Sequence, residues 1–275
     1  MLANAVNILA NEGVILLSLE SVVLDISVTS YDALEQFLDN CSMLKQLRIT
    51  VAPVAAFQGD TSIKETSLHL LERLELKLPS KFNPYQLFTS FNAQRLSHFR
   101  LTLTKDEGWN QELWVGLIHF FEASSGLEIV VCQNVIFPSE RVASLLITAL
   151  ECLTHLNALF IMDGFIGHLL DVLSETHFSE WLCPELSYLN LSIVSIVKDE
   201  LFRFLNARRG RAEVTGITNL LLRGCRGITA AELLGNVDTA TIQQVDIREA
   251  IPEIDSSWIE DVADLERNEG NVEAQ

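Results

Sequence analysis

Three features of the sequence predict an α/β chain of stacked repeats. Leucine-like residues recur nine times in the spacing L-x-x-L-x-L, the copies lie 25 to 31 residues apart, and most are followed by apolar residues three and four apart. The copies begin at Leu19, Leu44, Leu71, Leu96, Leu127, Leu156, Leu186, Ile217 and Ile242. Each unit supplies one short strand and a returning segment, and neither can bury its apolar face alone, so neighbours must stack. This is the pattern of a leucine-rich-repeat solenoid, with a parallel sheet on the concave face and helices on the convex face. It predicts about nine repeats over residues 1–248 and an acidic tail over 249–275. No Pro/Gly/Ser-rich linker breaks the register, so one domain is expected.

Taken in order, the clearest copies are Leu44, Leu47 and Ile49, then Leu71, Leu74 and Leu76, then Leu186, Leu189 and Leu191. The stretches 51–70 and 79–94 are irregular, and helix is least certain there. After the fourth copy, Trp114, Leu117, Ile118 and Phe121 fall on one side of a helix. A further helix carries Val142, Leu145, Leu146, Ala149, Leu150 and Leu153, with Pro138 and Ser139 marking its entry. The seventh copy, Leu186, Leu189 and Leu191, leads to a helix from about Val197 to Arg208. Gly210 is suited to its left-handed C-terminal cap. In the tail, Ser257 and Glu260 form a capping-box pattern, and Trp258, Ile259, Val262 and Leu265 share one side of a short helix. The tail reads either as a solvated, flexible segment or as a docking peptide that covers part of the repeats.

The formal charge is −18. Phosphate contacts need a positive surface, so nucleic acid is not expected as a partner, and anionic lipid would be repelled. The first basic residue is Lys45, Glu12 and Glu20 interrupt the apolar N-terminus, and no uncharged apolar run is long enough to cross a bilayer. A cytoplasmic or nuclear monomer is expected. The five cysteines contain no C-x-x-C pair, and the sequons at Asn40 and Asn190 read as chance.

Within each copy, positions one, four and six point into the core, so positions three, five and seven project from the opposite, concave face. Mapping them yields a basic patch of Arg48, Arg73, Lys77 and Arg100, and an apolar patch of Ile129, Val131, Phe160, Met162 and Tyr188. Forked arginines suit carboxylate or phosphate, while aromatics and Met supply desolvated contact area. The expected ligand is a protein or peptide with an acidic or phosphorylated end and an apolar anchor. Competing with this, Glu75 is placed to pair laterally with Arg48 or Arg100. The acidic tail is a third possibility, since its charge and Trp258 complement both patches.

No catalytic, cofactor or metal site is expected. The six histidines, His69, His98, His119, His155, His168 and His177, are scattered, and no H-E-x-x-H, G-x-S-x-G or P-loop run occurs. His168, His177 and Cys183 lack metal-ligand spacing. Arg208, Arg209 and Arg211 are expected to complement the carbonyl end of the preceding helix.

The stretch from Asp199 to Ile247 resembles the C-terminal repeats of fungal F-box and leucine-rich-repeat proteins. The resemblance is carried by Leu201, Phe204, Leu205, Arg208 and Arg209, by Ile217, Leu220, Leu222 and Cys225 with Gly227-Ile228-Thr229, and by Val245-Asp246-Ile247. It implies substrate capture for an SCF-type ubiquitin ligase, in which an N-terminal F-box recruits the cullin adaptor. No Leu-Pro-initiated helical module precedes Leu19, and the Leu78-Pro79 pair lies inside a repeat. The chain is expected either to be a shortened member or to bind without recruiting. A structural or regulatory scaffold without a ligase role is the alternative.

Overall fold

The computed structural model describes residues 19–26, 31–52, 66–79, 84–104, 111–137, 143–166, 168–236 and 244–248. The tail helix expected after Ser257, the helix entry at Pro138 and Ser139, and most of the irregular 51–70 stretch lie outside these residues.

The fold is α/β. Nine strands, β1 (Ser21–Ile26), β2 (Gln46–Val51), β4 (Arg73–Leu78), β6 (His98–Leu103), β7 (Ile129–Gln133), β8 (Ala158–Met162), β11 (Tyr188–Ser192), β12 (Asn219–Arg223) and β13 (Gln244–Arg248), form one sheet in chain order. Every neighbouring pair is parallel. Each strand begins at position three of its copy, two residues after the first leucine-like residue.

The local cause recurs from unit to unit. The amide of position one donates to the carbonyl three residues earlier, as in Leu44 to Cys41 (3.1 Å), Leu96 to Ala93 (3.1 Å) and Leu186 to Cys183 (3.1 Å), which turns the chain into the next strand. Position two then donates to the carbonyl of position two in the preceding unit, as Glu72 does to Lys45 (2.8 Å) and Asn157 to Glu128 (2.8 Å). Two backbone bonds per unit therefore fix the register before the strand begins.

Helices follow the strands, and their size varies. Tyr31–Asp39, Gln111–Ala123, Ala143–Glu151, Lys198–Arg208 and Ala230–Asn236 are substantial, while Tyr85–Ser90 and Leu169–Val172 are short. After Leu169–Val172 comes a two-stranded antiparallel hairpin, β9 (Thr176–His177) with β10 (Glu180–Trp181). In the 79–94 stretch, Phe91–Asn92 (β5) bridges Thr66–Ser67 (β3). The buried faces of the helices and positions one, four and six of the first eight strands of the sheet form one continuous cluster. Leu71, Leu96, Leu127 and Leu156 have no exposure at all, and each such burial contributes roughly 1.5–3 kcal/mol. Phe99, Phe120 and Phe88 pack ring against ring inside it, at 4.8 to 6.2 Å between centroids.

Lys198–Arg208 ends as expected, with Gly210 in the left-handed region at φ 65°. Arg211 caps it, donating from Nε to the Ala207 carbonyl at 2.7 Å. Arg208 does something else. Its guanidinium turns inward, fully buried, and donates to the carbonyls of Leu182 (3.1 Å), Cys183 (2.6 Å) and Thr215 (3.3 Å). The expectation that it complements its own helix end fails because these three carbonyls, from the loops on either side, lie within its reach; the Cys183 carbonyl also accepts from the Leu186 amide. Burial lowers its pKa to about 10, so it stays charged at neutral pH.

Candidate binding face

The parallel register converts positions three, five and seven into three rows across the face turned away from the helices, here the far face. Row five runs Val23, Arg48, Glu75, Arg100, Val131, Phe160, Asn190, Leu221. Row three carries Arg73, His98, Ile129, Ala158 and Tyr188, and row seven carries Lys77, Thr102, Gln133, Met162 and Ser192. All nine residues singled out from the sequence therefore share one face of one sheet.

The basic group occupies three adjacent strands. Glu75 sits between two arginines: Arg48 approaches it at 2.6 Å and Arg100 at 3.7 Å. The lateral pairing expected from the sequence is present. Two of the four cations thus flank the Glu75 carboxylate. Arg48 is half exposed and Lys77 exposed, whereas the Arg100 side chain is 19% exposed and reaches the Gln133 side-chain oxygen at 3.4 Å. Burial lowers the Arg100 pKa, Glu75 opposes that shift, and Arg48 adds to it.

The apolar group is differently placed. Phe160 and Tyr188 stack with centroids 5.0 Å apart, and with Val131, Ala158 and Leu221 they form a second buried cluster. Ile129 is partly buried against it, and Met162 is 8% exposed. These side chains are aligned as expected but buried. Asn190 and Ser192 are buried beside them, with the Ser192 hydroxyl donating to Asn190 Oδ1 at 2.9 Å. Asn190 at 3% exposure is no acceptor for a glycan.

His168 meets Asp171 at 3.2 Å, His177 contacts the Val172 carbonyl at 3.1 Å, and the buried Cys183 thiol points to the Leu150 carbonyl at 3.7 Å. The three do not converge, and among the described residues no group of three His, Cys, Asp or Glu is placed to hold a metal. Burial pushes the Cys132 and Cys183 thiols up to about 12, and the Cys225 thiol up to about 11. Among the described residues no helix is long and apolar enough to cross a membrane.

No family model matches the chain, and no curated protein matches it.

Sequence reasoning missed two features of this face. Leu221 and Ala158 belong to the apolar cluster; the spacing places both on this face but does not show that they join the patch. An open hollow of about 510 Å³ lies at the N-terminal rim of the same strands, lined by Glu128, His155, Asn157 and Glu185 among others, with His155 3.3 Å from Glu185. Residues at position two and immediately before position one line it, on neither side of the strand alternation that maps the far face.

Proposed function

We propose that this chain is a leucine-rich-repeat solenoid that recognises a protein ligand on the far, concave face of its sheet. The ligand is a peptide with an acidic or phosphorylated end and an apolar anchor. One observation carries the reading: cations and large apolar side chains are segregated onto adjacent strands of a single face, in one register. Chain-order strands with a recurring turn support the solenoid. Forked guanidinium groups bind carboxylate and phosphate with paired, charge-assisted hydrogen bonds, and a buried aromatic anchor supplies most of the binding energy in such contacts.

Capture of acidic and phosphorylated peptide libraries on the purified chain tests this. Arg73→Glu with Lys77→Glu should weaken binding about tenfold or more, since each lost charged contact costs on the order of 1.5–3 kcal/mol. Arg226→Glu, exposed on the loop after β12, should change little. Equal effects would remove the far-face assignment. The F-box resemblance adds a use for such capture, presentation of a substrate to an SCF-type ubiquitin ligase. Copurification of a cullin adaptor separates that use from a scaffold role.

A further inference from the structure

Two local rules are broken on the rim where β8 and β11 end, both by exposed apolar residues. At position eight, where Asn134, Asp163 and Gly224 also take a left-handed turn, the seventh unit has Ile193, held at φ 56° and 37% exposed. Four residues on, the helix Lys198–Arg208 begins behind Val197, which is 55% exposed and makes no side-chain cap bond, whereas Thr229 caps the next helix. Asn or Asp would serve the fold better at both places. Residues that cost the fold local stability and still face water are expected where a surface has a use. Phe165, at position ten of the neighbouring unit, adds a third exposed apolar side chain to the same rim.

We propose that the apolar anchor of the acidic ligand docks on this rim, against Phe165, Ile193 and Val197, while its acidic end lies on the cationic strands. The proposal rests on the reading of the far face as an acidic-peptide surface and names where the anchor makes its contact. Val131, Phe160 and Tyr188 are 6% exposed or less and leave little for a ligand to touch. The rim is continuous with the face. Ile193 directly follows Ser192, the row-seven residue of β11, and Lys77 stands exposed in the same row on β4.

The register sets the spacing that such a ligand needs. β8 and β11 lie three and four strands from β4, about 14 and 19 Å at a strand separation of about 4.8 Å. An extended peptide advances about 3.3 Å per residue, so its apolar residue must stand about four to six positions from its acidic one. Between them, β6 and β7 present Thr102 and Gln133 in row seven, polar side chains beneath the connecting residues.

Fluorescence anisotropy of the full-length chain with synthetic peptides tests this, each peptide carrying one phosphoserine and, in a Gly/Ser background, one phenylalanine about two or about six positions away. The longer spacing should bind at least about tenfold more tightly, because the shorter one cannot engage both places at once. Phe165→Ser and Ile193→Asn should each remove most of that gain, and Leu234→Ser, at an equally exposed residue on the helix Ala230–Asn236, should leave it intact. Ile193→Asn also relieves the left-handed turn, so weaker binding with a raised melting temperature excludes unfolding as the cause. Equal affinity at the two spacings, or a gain that survives both substitutions, would overturn the proposal. If both peptides bind, and lose binding in Arg73→Glu with Lys77→Glu, but gain nothing from phenylalanine, the rim anchor fails and acidic recognition stands. If neither peptide binds, or binding ignores that charge reversal, the recognition reading fails and takes the rim anchor with it.

Discussion

The strands β1, β2, β4 and β6 run six residues each, and β7, β8, β11 and β12 run five. Position eight makes the difference. In the first group it is Ile26, Val51, Leu78 and Leu103, aliphatic residues that continue the strand. In the second it is Asn134, Asp163, Ile193 and Gly224, and all four adopt positive φ, between 50° and 60°. There the amide of position eight donates to the position-seven carbonyl of the next strand, as Asn134 does to Met162 (2.9 Å) and Ile193 to Arg223 (2.7 Å). The chain then turns into a second short bridge, Ile136 with Phe165 and Ser195 with Arg226. Asn, Asp and Gly tolerate this left-handed turn, whereas a β-branched residue is strained in it.

The same division separates the two halves of the far face. β2 and β4 alternate buried with exposed or half-buried residues, as strands packed on one side do, while β8 and β11 are buried at every position. One half of the sheet thus offers charge to solvent, and the other hides its apolar side chains.

The largest effect should come from equivalent row-five positions. Phe160→Ala should cost about 3 kcal/mol, in the range for a buried aromatic, and Val23→Ala less than about 0.5 kcal/mol, as at a surface site. Urea midpoints measure both, and equal losses would erase the contrast between halves. Next, Arg208→Met should cost about 2–3 kcal/mol, because it strips the guanidinium donors from the Leu182 and Thr215 carbonyls and leaves Cys183 with the Leu186 amide alone, while Arg226→Met should leave the midpoint unchanged. A neutral Arg208→Met would mean that water satisfies those carbonyls.

Position eight sharpens the comparison further. Ile193→Asn should gain about 1 kcal/mol, since Ile193 is 37% exposed and held at φ 56°. Val51→Asn at the same position of β2 should instead destabilise, because Val51 is buried in extended backbone. Thermal unfolding of both variants decides it, and the same sign for both would refute the position-eight rule.

The smallest effect is at the C-terminal end. Thr229 and Glu232 form a capping box, with the Thr229 amide and hydroxyl donating to the Glu232 carboxylate at 3.0 and 2.9 Å. Those bonds, with help from Lys198, hold the Glu232 pKa below its ordinary value of 4.5. A depressed folded pKa means the contribution is complete above pH 4.5 and is lost as pH falls through the folded value. Glu232→Gln should flatten that acid-side loss slightly in a pH titration of stability, and an unchanged profile would show the box to be idle.

Much of this was legible in the residues. Every strand starts at position three because the leucine spacing has period two within a strand, and that period alone sorts core from far face. The position-eight rule was legible too, in Asn134, Asp163 and Gly224, though Ile193 disguised it. Arg208 was not, since the carbonyls it bonds at Leu182 and Cys183 lie about 25 residues away in sequence. Nor was the burial of Phe160: alternation records which side a residue faces, not whether anything lies over that side.

The sequence by itself determined the repeat length, the strand positions and which side chains share a face, because stacking with a fixed period leaves one register in which the leucines are buried. Only the tertiary structure decided which of those faces meets water. Solvent exposure depends on what comes to lie above a side chain from distant parts of the chain, and no local spacing encodes that.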